Sequence, residues 1–484
     1  MILKDLLHAV PVKEYKGQLD IEVTGLCFDS RAVVDGNLFI AVRGTHTDGH
    51  LYLQKAIDLG ANALLVEELP DQIHEDITYI LVDDSSYVLG LIAANYYDNP
   101  SHQLKLVGVT GTNGKTTVAT LLYNLFIGLS YQVGLLSTVE NRISGRIIPT
   151  THTTLDPISL NKLLREMVDE GCDYCFMEVS SHAVVQQRIA GLRFAGGIFT
   201  NITHDHLDFH ETFDNYIKAK KKFFDDLDRD AFALSNADDR NGAVMLQNTV
   251  SYQKTYGLKG LADFKMRIVE SHFDGMLLHL DGQDVWVKLV GHFNAYNLLA
   301  VYGAAILLEQ ETMKVLTAIS NIVGAEGRFE ALRSPQGQIG IVDYAHTPDA
   351  VENVLDTVAD LRQAGQQIIT VIGCGGDRDK TKRPKMAKVA ALKSDTVILT
   401  SDNPRSEDPL QIIREMEAGI PADKRKGVFS ISDRKEAIRA ACHLAQPGDI
   451  IVVAGKGHEK YQDINGVKHH FDDKEQLANA FNEQ

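Results

Sequence analysis

The stretch GTNGKTT (111–117) gathers two glycines, a lysine and three hydroxyl side chains into seven residues. A glycine-rich turn aims backbone N–H groups at an anion, and a helix starting at the lysine adds its dipole. Lys115 offers a point charge for outer phosphates, and the Thr116 hydroxyl is a Mg2+-ligand type. The usual spacing GxxxxGK[ST] requires glycine at 109, where the chain has valine. The loop is therefore a variant, with glycines at 108, 111 and 114. Nothing around it reads a nucleobase. Lys115 is expected to face solvent.

Further along lie MEVSSHAVVQQR (177–188) and FTNITHDHLDFH (199–210). Glu178, His206 and Asp208 are suited to surround a divalent ion, or to serve as polar loop residues that cap helices. A His/Asp set also suits zinc, but a phosphate loop in the same unit favours oxygen-preferring Mg2+. YIKAKKKFF (216–224) then crowds Lys218, Lys220, Lys221 and Lys222 into about a turn and a half of helix. A solvated basic face accounts for three of them. Close cationic neighbours depress a lysine pKa, and a neutral amine adds CO2 to give a carbamate whose oxygens suit Mg2+. Finally, SDNPRSEDP (401–409) sets one arginine among three acids and between two prolines.

The elements that must position these groups are legible from periodicity. An apolar strand at 104–109 precedes the phosphate loop. Val118, Leu121, Leu122, Leu125, Phe126 and Leu129 recur after it at helical spacing. Strands at 38–42, 63–66 and 79–82 alternate with helical patterns at 51–59 and 86–97, and YDNPSHQ (97–103) reads as a linker. From 329 onward, strands at 339–342, 368–372, 396–399 and 450–453 each run into a polar loop: DYAHTPD, GCGGDRD, TSDNPR and AGKGHE. That alternation predicts a mostly parallel sheet whose loops share one ligand-binding rim. The fold class expected is α/β in three domains: 1–98, a central P-loop ATPase domain at 99–328, and a C-terminal doubly wound, Rossmann-like domain at 329–484.

Composition sets the outer limits. At 484 residues the chain exceeds a single core. With 48 Lys+Arg against 65 Asp+Glu, its net charge of −17 argues against nucleic acid or an anionic membrane as the main partner. No apolar run approaches a spanning helix, and Asp5 spoils the short N-terminal apolar patch as a signal peptide. Five scattered cysteines, with one CxxC at 172–175 and no second pair, point to a reduced, cytoplasmic protein.

The motifs GVTGTNGKTT, MEVSSH, TNITHDHLDFH, YIKAK, GHFNAYN, GRFE, DYAHTPD, GCGGDRDKTKRP, SDNPR and AGKGHE occur in this order across 108–459. As an ordered set they resemble the Mur ligases, and most closely the branch that adds the third residue of the peptidoglycan stem peptide. FDSRAVVDGNLFIAVRGTHTDGH (28–50) is similar to that branch's UDP-binding region. The resemblance implies that ATP phosphorylates the D-Glu γ-carboxylate of UDP-N-acetylmuramoyl-L-alanyl-D-glutamate. The amine of an incoming amino acid then displaces phosphate. It also implies residue roles. Ser30, Thr45, His46 and Thr47 contact UDP, and Thr153, Thr154, Ser180, Gln186 and Arg188 hold the sugar dipeptide. Gly111, Thr112, Asn113, Gly114, Lys115, Thr116 and Thr117 hold ATP phosphates, with Asn294, Arg328 and Asp343 facing the nucleotide. Thr116, Glu178, His206 and a carboxylated Lys220 serve Mg2+. Arg378, Asp402, Asn403, Pro404, Arg405, Gly455 and Glu459 form the amino-acid pocket. Arg405 suits a carboxylate bidentately, so the implied amino acid is meso-diaminopimelate rather than lysine, with Asp402 and Asn403 receiving its ammonium. A monomer is expected. Folylpolyglutamate synthase and the ligase adding D-Ala-D-Ala are the sister readings. A P-loop kinase or motor leaves the four C-terminal loops without a use, and a non-catalytic scaffold has no need of Lys115, Thr116 and Glu178 together.

Overall fold

The computed structural model describes residues 1–44, 47–148, 153–203, 205 and 207–483, without the side chains of 207 and 208. The sequence-based assignments at Thr45, His46 and His206, and the side chain of Asp208, lie outside the described residues.

Three sheets organise the chain. In the first, Gly25–Cys27, Asn37–Ile40, Ala63–Val66 and Thr78–Leu81 run parallel, and Glu14–Lys16 pairs antiparallel with the last. The apolar strands are buried along their whole length, as expected when both faces of a parallel sheet are covered. The segment 97–103 is not a loose linker. Pro100–His102 forms a 3-10 turn, Pro100 and Ser101 are buried, and the Ser101 hydroxyl accepts from the Arg193 amide (3.0 Å). Helices Ser85–Tyr96 and Pro157–Asp169 pack together across this junction.

The central sheet places Lys105–Thr110 between Tyr174–Glu178 and Gly196–Phe199, all parallel. Glu178 lies opposite Val109, and Phe199 opposite Thr110, so three loops leave the sheet side by side at its carboxyl edge. Helix Phe213–Asp225 crosses beneath them. A Cβ on Gly108 would stand 2.5 Å from Phe223 Cζ and 2.9 Å from Val179 Cγ2, so only glycine admits this helix so close to the strand.

The third sheet orders Glu330–Arg333, Ile339–Asp343, Ile450–Ala454, Ile368–Cys374, Thr396–Ser401 and Val428–Ser430, parallel except for the first. Helices cover both faces. One apolar layer joins Ile341, Ile372 and Leu399 to Leu355 and Met386, and the other joins Val371 and Ile398 to Ile438 and Leu477. The four polar loops expected at one rim do leave one edge of this sheet. All five cysteines are free and buried.

Candidate active site

The phosphate loop joins Lys105–Thr110 to helix Lys115–Gly128. Gly111 (φ 155°) and Gly114 (φ 85°) adopt conformations that favour glycine. They also lack room for a side chain, since a Cβ on Gly111 would meet Thr200 Oγ1 at 1.9 Å. The loop is laced to the segment after Gly196–Phe199. The Thr112 amide donates to the Asn201 carbonyl (2.8 Å), the Asn113 amide to Asn201 Oδ1 (2.9 Å), and Thr200 Oγ1 to the Asn113 carbonyl (2.6 Å). Asn294, buried beneath, accepts from Asn297 Nδ2 (3.2 Å), and Asn297 Oδ1 lies against Gly114.

Lys115 does not face solvent. It opens the helix half-buried, and its Nζ donates to the carbonyls of Gly111 (3.0 Å) and Thr112 (2.9 Å). The four lysines of the next helix separate sharply. Lys218 is exposed, while Lys221 and Lys222 pair with Asp225 and Asp226. Lys220 is buried, with Nζ donating to the same Gly111 carbonyl (2.8 Å) and lying 4.6 Å from the Tyr216 ring centre. Burial first, and then the Lys115 ammonium, push the Lys220 pKa well below its ordinary value, against the pull of Asp205. The cationic neighbour is thus Lys115 from another element, not the lysines adjacent in sequence. Burial also lowers the Lys115 pKa, opposed by the charges of Glu178 and Asp205.

Glu178 closes its strand fully buried and accepts from the Thr138 amide (2.7 Å). Thr154 bonds the Glu178 carbonyl (2.9 Å), Arg188 Nη1 donates to the Thr154 carbonyl (2.7 Å), and Thr153 accepts from Thr138 Oγ1 (3.1 Å). Ser180 caps the following helix, and the Gln186 amide ends it. Among the described residues no three His, Cys, Asp or Glu side chains gather as a metal site. The described donors assigned to a metal, the Thr116 hydroxyl and the Glu178 carboxylate, are oxygens and fit Mg2+ rather than a soft cation.

Residues after 327 reach this loop directly. Asn113 Nδ2 donates to Asp349 Oδ2 (2.8 Å), as does Thr203 Oγ1 (3.4 Å), and Arg328 Nη2 donates to Thr116 Oγ1 (3.3 Å). The Arg328 guanidinium stacks over Tyr344, 4.6 Å from the ring centre. Asp343 accepts from the Phe329 amide (2.7 Å), and burial raises its pKa against the pull of Arg328.

Around the rim, Arg405 does not pair with Glu407 or Asp408. Glu407 binds Arg383 Nη2 (2.8 Å), and Asp408 caps helix Pro409–Glu417. Among the described residues, the one side-chain hydrogen bond of Arg405 runs from Nη1 to the Gly376 carbonyl (2.6 Å). Its backbone follows Pro404 into the left-handed region (φ 51°). A hairpin, Tyr461–Ile464 with Val467–His470, holds it there: the Arg405 amide donates to the Asp463 carbonyl (3.0 Å), and the Asn465 amide to the Arg405 carbonyl (2.8 Å). Asp402 and Asn403 are already engaged by the buried Lys456, and Asn403 Nδ2 donates to Glu459 Oε2 (2.7 Å). Gly455 (φ 121°) leaves no room for a Cβ beside Asp402 Oδ2. Arg378 is exposed on the neighbouring loop. Ser30 is buried and Thr47 exposed in the first domain, and no described hydrogen bond joins either to the phosphate loop.

Residue-by-residue reading passed over Asp205, Asp349, Lys456, Arg434 and the hairpin. Asp205 stood inside a quoted motif, and Asn465-Gly466 is a recognisable two-residue turn. Asp349 closes the DYAHTPD stretch and Lys456 lies within AGKGHE, whereas Arg434 carries no local signal.

Family models described as the Mur ligase family catalytic domain, the Mur ligase middle domain and the Mur ligase glutamate ligase domain match residues 22–97, 109–305 and 327–457. The UDP-N-acetylmuramoyl-L-alanyl-D-glutamate--2,6-diaminopimelate ligase of Bacteroides fragilis is 58% identical over 481 residues, 99% of each chain. A solved structure of a ligase bearing the same name is 32% identical, covering 100% of this chain and 99% of that one, with a TM-score of 0.70. The ADP-complexed folylpolyglutamate synthase of Mycobacterium tuberculosis is similar in fold alone. It is 16% identical, with a TM-score of 0.64, over 77% of this chain and 92% of its own. With three family models matched in order and a relative this similar along its length, the chain belongs to the Mur ligase family.

Proposed function

We propose that this Mur ligase joins meso-2,6-diaminopimelate to the D-Glu γ-carboxyl group of UDP-N-acetylmuramoyl-L-alanyl-D-glutamate with ATP, as a cytoplasmic enzyme of peptidoglycan precursor synthesis. The observation that carries this reading is the bonding of the phosphate loop to the rim of the C-terminal domain through Asn113–Asp349, with Arg328, at the boundary between the two, bonded to Thr116. The name of the 58% identical relative supports the choice of substrates. The division proposed is 1–98 for the UDP-sugar, 99–328 for ATP and 329–484 for the amino acid.

A γ-carboxylate oxygen of the dipeptide attacks the γ-phosphorus of ATP, and ADP leaves. The diaminopimelate nitrogen then attacks the acyl carbon, phosphate leaves, and the nitrogen loses a proton to give the amide. The loop amides of Gly111, Thr112, Asn113 and Gly114, with Lys115, Thr116 and Thr117, cradle the transferred phosphoryl group and offset its charge. Mg2+, when bound, supplies Lewis-acid neutralisation between the two polyanions. Thr116, Glu178 and His206 would hold it, with Lys220 as a carbamate formed when its neutral amine adds CO2 and releases a proton. Asn294, Arg328 and Asp343 face the nucleotide. Thr153, Thr154, Ser180, Gln186 and Arg188 seat the dipeptide, while Ser30 and Thr45–Thr47 seat UDP. The contacts across the domains exclude water from the acyl phosphate. Arg405, with Arg378, Gly455 and Glu459, selects the amino acid by its distal carboxylate. Lysine lacks that carboxylate and leaves the guanidinium unmatched.

Phosphate release from ATP, measured with the UDP-sugar dipeptide and each candidate amino acid, tests the reading. Strong stimulation by meso-diaminopimelate and none by L-lysine is expected. Efficient incorporation of L-lysine overturns the substrate assignment.

A further inference from the structure

We propose that Lys456, which has no assigned role, is the positioning residue that assembles the amino-acid pocket, by tying the loop after Thr396–Ser401 to the loop after Ile450–Ala454. The inference rests on the functional reading above. Lys456 is fully buried, and its Nζ donates to Asn403 Oδ1 (3.0 Å). It also lies 3.5 Å from both Asp402 Oδ1 and Glu459 Oε2. Asp402 Oδ1 accepts no described hydrogen bond, and the Lys456 ammonium is its ion-pair partner. A buried ammonium is stable only when its charge is compensated; Asn403 takes its described hydrogen bond, and the Asp402 and Glu459 carboxylates balance its charge.

The arrangement has a directional consequence. Asn403 Oδ1 also accepts from the Asp463 amide (2.9 Å), so its amide has one orientation, with Nδ2 turned to Glu459 Oε2 (2.7 Å). Lys456 and the Asp463 amide therefore set the Asn403 amide together, and through it the Glu459 carboxylate. Asp463 in turn carries the carbonyl that holds the Arg405 amide (3.0 Å). The same ammonium, with Arg434 and Arg405, keeps Asp402 ionised although burial works the other way. Without it, the Asp402 and Glu459 carboxylates are left to repel one another, and the loop that presents Arg405 loses an anchor.

Lys456→Met keeps the stem length and removes the charge, and Lys456→Gln keeps a donor for Asn403 without the charge. The prerequisite is that wild-type enzyme releases phosphate faster with meso-diaminopimelate than without amino acid. Failure there overturns the proposed function rather than the role of Lys456. Given that activity, both variants are expected to raise the KM for meso-diaminopimelate about 10- to 100-fold, the range set by hydrogen bonds to charged groups. The KM values for ATP and the UDP-sugar dipeptide should stay within about twofold, with the Gln variant the milder. If Lys456→Met does not fold, Lys456→Gln alone decides. A merely structural lysine lowers the melting temperature and leaves the three KM values in proportion, and that result overturns the proposal.

Discussion

Lys220 and Lys218 stand two residues apart on one helix and differ in almost everything that governs an amine. Lys218 is solvated, whereas Lys220 is sealed beneath the phosphate loop, where burial and the Lys115 ammonium favour loss of its proton. Lys220→Ala should cut kcat by about 10²-fold or more, the scale of a lost electrostatic group at phosphoryl chemistry. A short carboxylic acid added to the assay should restore part of the rate by replacing the carbamate oxygens, while Lys218→Ala stays near wild type. Lys220→Arg, which cannot be carboxylated, should remain inactive, and full activity there would sink the carbamate. At the rim, Arg405→Ala should lower kcat/KM for meso-diaminopimelate by about 10²-fold or more. Binding of ATP and UDP-sugar dipeptide, followed by calorimetry, should barely change.

At the scale of elements, the position of Lys220 depends on how closely helix Phe213–Asp225 approaches the strand that carries Gly108. In Gly108→Ala the new methyl would meet the Phe223 ring and lift helix Phe213–Asp225. A stability loss of about 1–3 kcal/mol is expected from such overpacking, together with a fall in kcat. Denaturant unfolding and turnover measured on the same preparation check both. The loop after Ile339–Asp343 makes a pH prediction. Burial first, and then Lys382 and Arg328, hold the His346 pKa down to about 4 against the pull of Asp205 and the Tyr344 carbonyl. The folded state therefore refuses a proton that the unfolded chain accepts near 6.5. Stability from this group is complete above pH 6.5 and is lost as pH falls toward 4, about 3 kcal/mol. His346→Asn should flatten the melting temperature over that window relative to wild type. An unchanged slope would contradict the assignment. The raised pKa of Asp343 acts in the opposite sense and is common to both proteins.

For the whole molecule, few hydrogen bonds among the described residues join the phosphate-loop region to the segment after residue 327. Asp349 accepts from both Asn113 and Thr203, so it bridges the phosphate loop and its neighbouring strand end to the third domain. Asp349→Ala should loosen closure and admit water to the acyl phosphate. The measurable sign is uncoupling, with phosphate released per amide formed rising above one while the isolated domains keep their secondary structure. A ratio that stays at one would show that closure does not depend on this bridge.

Much of this protein was present in local sequence. Apolar runs of four to six residues and helical periodicity placed the strands beside the phosphate loop and the four rim strands, because burial on both faces of a parallel sheet leaves continuous apolar runs. Glycines before Lys115 marked the phosphate loop, because only glycine accepts such backbone angles against such close neighbours. What sequence could not decide was which of four adjacent lysines is buried, since that depends on the helix phase set by Phe223 packing under Gly108. Nor could it show that Lys456 already occupies Asp402 and Asn403, or that a hairpin sixty residues away holds Arg405. Burial, charge balance and hydrogen-bond partners at those positions come from segments far apart in the chain, and only their packing brings them together.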